Sequence, residues 1–335
     1  MPTPSLNDYV SLMFTLFNEF EQYQRVTQGK SFGSSYTYSH KVLLVFFTMM
    51  QFRRIYQFKS QRRWLEKHPK TRALLGFKAI PHRTTLSRRY KTMYQTLQEL
   101  TIFISQYASL MSEEFSQAHL VEDKSLFKAL GPVWHQKDRK AGRIPAKLRH
   151  LDTEASWGKS AYQGWVYGYG LHLTCNQAAF PQLIEVESGS VSETEVFSRK
   201  EAFILHTLQP QTLAADNSYT QARRIRKWLK LRVFLLTPAK KWVKGRFAQT
   251  YHRLLQSPDL AYCLKKRRTS IEPLFDLIAK VLGTTGRHKQ LPLQRLDNVR
   301  TCLALATLSV QIAMIVNNIW GLPVRNVSDI VAAFS

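Results

Sequence analysis

The sequence predicts an α/β protein: an all-helical region to about residue 115, a mixed five-stranded sheet flanked by helices over residues 116–320, and a short tail at 321–335. Three observations predict it. Up to about residue 115, apolar residues recur three and four apart, which is the spacing of one helical face. Beyond that point, short segments alternate apolar and polar residues, the period of a half-buried strand. The segments then follow in the order three strands, helix, strand, helix, strand, helix, an order that favours one layered α/β domain.

In the helical part, "YSHKVLLVFFTMMQFRRIYQF" (38–58) and "RRYKTMYQTLQELTIFISQYASLM" (88–111) are the two long helical patterns. Between them lies "LLGFKAIPHRTTLSRRYKTM" (74–93). Gly76 can stop one helix, Pro81 marks a turn, and Thr84 or Thr85 can cap the next helix. That helix would expose Arg88, Arg89 and Lys91, the outline of a helix-turn-helix with a basic recognition helix.

In the second part, "AHLVEDKSLFKAL" (118–130), "YGLHLTCN" (169–176) and "QLIEVESG" (182–189) are the first three strands. "SETEVFSRKEAFILHTL" (192–208) follows as a helix, with Ser192 and Glu195 spaced as a reciprocal capping box. Next come the strand "TLAAD" (212–216), the helix "YTQARRIRKWLK", the strand "RVFLLTP" (232–238), and a basic irregular interval at 239–267 with one short helix around "RFAQTYHRLL". The helix "SIEPLFDLIAKVLG" (270–283) carries Ile271, Leu274, Phe275, Ile278, Val281 and Leu282 on one face.

Charge narrows the partner. The chain has 48 Lys and Arg against 23 Asp and Glu, a net +25, with a pI near 10.1. Such an excess is the footprint of a polyanion binder, so double-stranded DNA is the first candidate. The surplus is +9 over residues 1–115 and +16 over residues 217–300, so it crowds the region after Asp216. There Arg223, Arg224, Arg226, Lys227 and Lys230 would line a phosphate-contacting helix. Cys175, Cys263 and Cys302 have no paired spacing, which argues against a disulfide framework or a zinc site and for inert thiols in a reducing compartment. "MPTPSLNDYV" lacks the regions of a signal peptide. The longest apolar stretch, residues 302–316, is shorter than a spanning helix and interrupted by Thr307, Ser309 and Gln311, so it reads as a buried helix rather than a membrane segment.

Three antiparallel strands followed by alternating helices and strands make an RNase H-like sheet, in which the first and fourth strands lie side by side. Asp123 lies within the first strand, Asp216 ends the fourth, and Glu272 opens the last helix. Carboxylates drawn to one point repel each other unless cations neutralise them, and hard divalent ions with oxygen ligands do so. Two such ions about 3.5–4 Å apart activate an attacking oxygen and stabilise a leaving oxygen in phosphoryl displacement. A basic face would hold the phosphate backbone while the acids hold the metal.

Four stretches in this order carry a family likeness: "VEDKSLFKA", "WGKSAYQGWVYGYGLHLTCN", "ADNSYTQARRIRKWL" and "RRTSIEPLFDLIAKVLG". With "RLDNVRTCLALATLSVQIAMIVNN" they cover roughly residues 118–318, and the chain there resembles the DDE transposases of bacterial insertion sequences. The resemblance implies that Asp123, Asp216 and Glu272 bind Mg2+ or Mn2+, two ions in all. It implies cleavage at the element's ends and transfer of the freed 3′-hydroxyl into target DNA, by a homodimer in a synaptic complex within the bacterial cytoplasm. Arg268, four residues before Glu272, would hold a phosphate or orient the carboxylate. Relatives often have a tyrosine three before that arginine and a lysine seven after the glutamate; here Lys265 and Ala279 stand there, with Lys280 one step further.

Other readings stay open at this level. Pro273 would place Glu272 at a helix entrance, making Asp276 a rival ligand. Asp152 and Glu154 form a second acidic pair, a loop feature or a substitute ligand. Trp157, Trp165, Tyr167 and Tyr169 offer core packing or a stacking surface for an unpaired base. His172 points to the opposite strand face from Leu171 and Leu173, in a structural or phosphate-contacting place. The rival functions are a nuclease or resolvase of the same fold without strand transfer, and a non-catalytic DNA-binding protein descended from a transposase.

Overall fold

The computed structural model describes residues 5–29, 37–160, 163–238, 245–284 and 289–334. The helical part is α1 (Leu6–Gln28), α2 (His40–Phe52), α3 (Phe58–Lys67), α4 (Pro69–Leu74), α5 (Arg83–Lys91) and α6 (Tyr94–Met111). Both long helical patterns are broken. The first stops at Phe52, and Arg54 takes a positive φ of 56° before α3 begins. The second is split at Thr92, whose hydroxyl donates to the Arg89 carbonyl and so competes for a helical acceptor. In the turn between α4 and α5, Gly76 adopts the left-handed φ of 81° that ends a helix. The cap of α5 is His82 rather than Thr84 or Thr85: its Nδ1 accepts the Thr84 N–H.

The sheet and its helices follow as β1 (His119–Lys128), α7 (Gln136–Lys140), β2 (Ser156–Ser160), β3 (Gly164–Asn176), β4 (Pro181–Ser188), α8 (Glu193–Phe203), β5 (Thr212–Ala214), α9 (Ala222–Lys230), β6 (Phe234–Leu236), α10 (Arg246–Leu255), α11 (Pro258–Leu282), α12 (Leu296–Ile319) and α13 (Val327–Phe334). The strand order is β2-β3-β1-β5-β6, with β4 also on β3, so among the described residues the sheet has six strands, one beyond the expected five. The added strand is β2, antiparallel to the start of β3. It reads as loop because of its glycine, yet the glycine is what admits it: a Cβ on Gly158 would stand 2.6 Å from the Gly189 carbonyl oxygen. β3 pairs antiparallel with β4, while β1–β5 and β5–β6 are parallel.

Two other expectations are corrected. In α8, Ser192 accepts the Glu195 N–H, but the Glu195 carboxylate pairs with Arg199 instead of completing the reciprocal box. The helix ends at Phe203 and loosens into a wider turn over Ile204–Leu208, closed by Gln209 N–H on the Ile204 carbonyl. In α11, Pro273 lies inside a continuous 25-residue helix, so Glu272 is not at an entrance. The helix begins instead at Pro258, a residue suited to a first turn. It continues through Pro273 because Ile271, Leu274 and Phe275 are buried around it and the Ser270 hydroxyl is bonded to the Gln177 carbonyl. Within the basic interval after β6, residues 239–244 lie outside the described ones; α10 forms where the short helix was expected.

The chain forms two compact units: Met1–Ile104, Lys128–Ala155 and Leu277–Ser335, and Ser105–Phe127 with Ser156–Asp276. The first is built on α12, which packs against α1, α2, α5 and α13 and is buried almost throughout. α12 is long and apolar enough to cross a membrane, but 94% of its apolar window is covered by the protein itself. The second unit is centred on the sheet, with Leu213, Leu235, Leu171 and Val186 inside. Cys175, Cys263 and Cys302 are all free and buried.

Candidate active site

Parallel register brings the two aspartates level. His119, Leu120 and Val121 of β1 lie opposite Thr212, Leu213 and Ala214 of β5. Asp123 and Asp216 each stand two residues beyond the last of these pairs, Asp123 inside β1 where its pairing with β5 has stopped and Asp216 just past the end of β5. The chain leaves the sheet after β5, which opens the strand end beside Asp216.

Each carboxylate is held by its neighbours. The Lys124 N–H donates to Asp123 Oδ1 at 2.8 Å, and Arg267 Nη1 of α11 donates to Oδ2 at 2.6 Å. Burial pushes the Asp123 pKa up to about 7; Arg267 and the Lys124 N–H oppose that rise, and the nearby Asp216 and Glu193 charges add to it. Asp216 caps a short turn, its Oδ1 accepting the Ser218 N–H at 2.7 Å. The Ser218 hydroxyl lies 2.5 Å from the same oxygen and in still closer contact with Glu193 Oε2. Glu193, the first residue of α8, is pushed upward by burial, with the Ser218 hydrogen bond opposing and Asp216 reinforcing.

The expected residues are thus only partly gathered. Asp123 and Asp216 meet, whereas Glu272, Arg268 and Asp276 lie exposed on α11. Among the described residues, no three His, Cys, Asp or Glu side chains are close enough to hold a metal ion as they stand. The arginine that reaches Asp123 is Arg267, one residue before Arg268 and about 100° around the helix. Lys280 belongs to the other unit, where its ammonium faces the Ser328 hydroxyl. Asp152 and Glu154 also belong there and serve the start of α12: their carboxylates accept the Arg295 and Leu296 N–H groups.

A second row of charge, missed in the sequence, lies behind the aspartates. Glu122 is fully buried; Lys200 of α8 donates to its Oε1, and the Thr174 hydroxyl of β3 donates to its Oε2. The only sequence signal was a lysine on the inner face of an amphipathic helix. Lys124 crosses β3 over Gly170, where a Cβ would stand 2.6 Å from Lys124 Cε, and donates to the Gly189 and Val191 carbonyls just before α8. His172 is buried with neither ring nitrogen bonded among the described residues, and burial with the Lys200 and Lys124 charges holds its pKa well below the usual value. It cannot reach a phosphate in solvent. Tyr167 and Tyr169 are core residues, while Trp165 is 60% exposed with Lys159 over its ring.

The basic helices divide in the same way. On α9, Arg223, Arg226, Lys227 and Lys230 are exposed. Arg224 is turned inward, bonded to the Ser198 hydroxyl, paired with Glu201 and stacked on Phe197. On α5, Arg88 is exposed and Arg89 lies against His40, with Lys91 half-buried.

The donors around Asp123 and Asp216 are all oxygens, the chemistry of a hard divalent cation. Arg267 offsets the charge of Asp123, but at Asp216 and Glu193 one Ser218 hydroxyl proton faces two carboxylates and can serve only one. A cation therefore suits the site, with Asp123 and Asp216 as its holders. Comparison with curated proteins finds no match. Residues 131–303, just over half of the chain, match the family described as "Transposase DDE domain"; the match contains Asp216 and Glu272 and begins after Asp123. The helical first part, the mixed sheet flanked by helices and this match agree, and the chain belongs to the transposase DDE-domain family.

Proposed function

We propose that the protein cuts DNA at the ends of a bacterial insertion sequence and joins the freed 3′-hydroxyl to target DNA. Family membership supports nuclease and strand-transfer chemistry in general, and DNA as the substrate. The observation that carries the reading further is the level placement of Asp123 and Asp216 by the β1–β5 register. A pair of Mg2+ or Mn2+ ions bound there would supply charge neutralisation for the attacking and leaving oxygens. The chain's own residues prepare that chemistry. Arg267 and the Lys124 N–H fix the direction of the Asp123 carboxylate, and the Ser218 N–H fixes that of Asp216. The exposed cations of α9 follow Asp216 directly and would hold the phosphate backbone beside it, with Arg88 on α5 as a second contact. Glu272, carried by the motif, is proposed as a third ligand reached when DNA and metal bind. The protein would act in the cytoplasm, as a dimer holding two ends.

The test uses a labelled duplex carrying the element's end, Mg2+ and a target plasmid. Asp123→Ala and Asp216→Ala should each lower nicking by about 10³-fold or more, since several kcal/mol of transition-state stabilisation are removed. Nicking without joining of pre-cleaved ends would indicate a nuclease of the same fold. Salt-sensitive binding with no nicking by wild type in Mg2+ or Mn2+ would reduce the protein to a DNA-binding one.

A further inference from the structure

Three features of the second unit converge beside the aspartates and are used by neither the fold nor the motif. Glu193 stands at the start of α8, in contact through the Ser218 hydroxyl with Asp216. Its position is fixed from both sides. Lys124, the residue after Asp123, grips the two carbonyls that lead into α8, and the Thr194 hydroxyl donates to the Ser218 carbonyl at 3.2 Å. Nothing in helix capping requires this, because Ser192 already caps α8.

The third feature is Tyr219. Its side chain is fully buried, its hydroxyl has no hydrogen-bond partner among the described residues, and that hydroxyl lies within the field of Glu122, Glu193, Asp123 and Asp216. A buried phenol beside carboxylates that do not accept its proton is unfavourable unless something fills the space between them. A hydrated cation supplies what is lacking: positive charge for the acids and a water oxygen to accept from the phenol.

We propose that Glu193 is a carboxylate ligand of the cation site, acting with Asp123 and Asp216, and that the Tyr219 hydroxyl bonds to water of the bound ion. This rests on the proposed function above and deepens it. The three carboxylates stand too far apart to share one ion as they stand, so binding of a hard divalent cation draws them together, with Glu193 supplying the third oxygen donor that Glu272 does not supply in the absence of DNA. Ser218 then acts as a positioning residue, keeping Glu193 and Asp216 at one spacing while the cation is absent.

Mn2+ binding to the full-length protein without DNA, followed by calorimetry and by electron paramagnetic resonance, separates the alternatives. Glu193→Gln should weaken Mn2+ binding by at least about tenfold and Glu193→Asp by less, whereas Glu272→Gln should leave binding without DNA unchanged. Glu193→Gln should also melt higher than wild type in chelator, because a like charge has been removed, and should lose the rise in melting temperature that Mn2+ gives the wild type. Tyr219→Phe should keep its fold and alter the water-proton relaxation of the bound ion. If Asp123→Ala and Asp216→Ala abolish Mn2+ binding while Glu193→Gln retains it in full, the inference about Glu193 falls and the proposed function stands. If all three variants bind Mn2+ as wild type does and none alters nicking, the function itself is wrong.

Discussion

Asp123 sits where ionisation is costly, and this makes the protein's pH response readable from one side chain. An unfolded aspartate releases its proton near 3.8, whereas folded Asp123 holds it to about pH 7. Between those values the native state binds more protons than the unfolded one, so metal-free stability falls as pH rises from about 4 to 7 and then levels off. The loss is at most about 4 kcal/mol. Asp123→Asn should therefore melt higher than the metal-free wild type at pH 8, with a smaller gap at pH 5; a gap independent of pH would refute this. The same proton competes with metal, so cleavage should weaken by up to about tenfold per pH unit below 7. The nearness of Asp123 and Asp216 could be read from the sequence because a carboxylate within or at the end of an apolar strand is conspicuous. Glu193 was not, since an acid in the first turn of a helix is ordinary dipole chemistry and only the third dimension sets it against Asp216. Arg267 and Arg268 are adjacent in sequence but about 100° apart on a helix, and spacing from Glu272 pointed to Arg268 whereas Arg267 is the one that reaches Asp123.

Between elements, the buried Glu122–Lys200 pair fastens β1 to α8, the two segments that bear Asp123 and Glu193. With Lys200 5% exposed and Glu122 fully covered, removing the lysine strands a carboxylate in the interior. Lys200→Met should cost about 3–5 kcal/mol, and the double change Glu122→Leu with Lys200→Met should cost much less. Urea unfolding of the three proteins checks this; equal losses for the single and double changes would show that the pair carries no such tie. Most elements could be read because alternation or helical spacing survives in a single short window. β2 could not, because "SWGKS" is short and owes its place to the missing side chain at Gly158, while its cross-strand partners Tyr167 and Trp165 are visible only once β3 is beside it. The first half of α11 was hidden similarly: "KKRR" at 265–268 reads as irregular basic chain, and the breaker Pro273 outweighed the few apolar residues before it.

At the scale of the molecule the dominant quantity is the net charge of +25. Its consequence is a steep salt dependence of DNA binding, with each neutralised phosphate contributing a slope of about 0.9. Replacing Arg223, Arg226 and Lys230 together by glutamine should lower the slope by up to about 2.7, while Arg224→Gln should act mainly on stability because Arg224 faces inward. Filter binding between 50 and 300 mM salt reads both; an unchanged slope for the triple variant would remove α9 from the DNA contact. A final consequence belongs to α12, the helix at the centre of the first unit. During synthesis the ribosome delivers α1, α2 and α5 more than two hundred residues before the helix that covers their apolar sides. Those early segments must stay unassembled, or shielded by a chaperone, while the intervening chain emerges. A nascent chain that stalls before residue 296 therefore displays a hydrophobic surface that marks it for disposal.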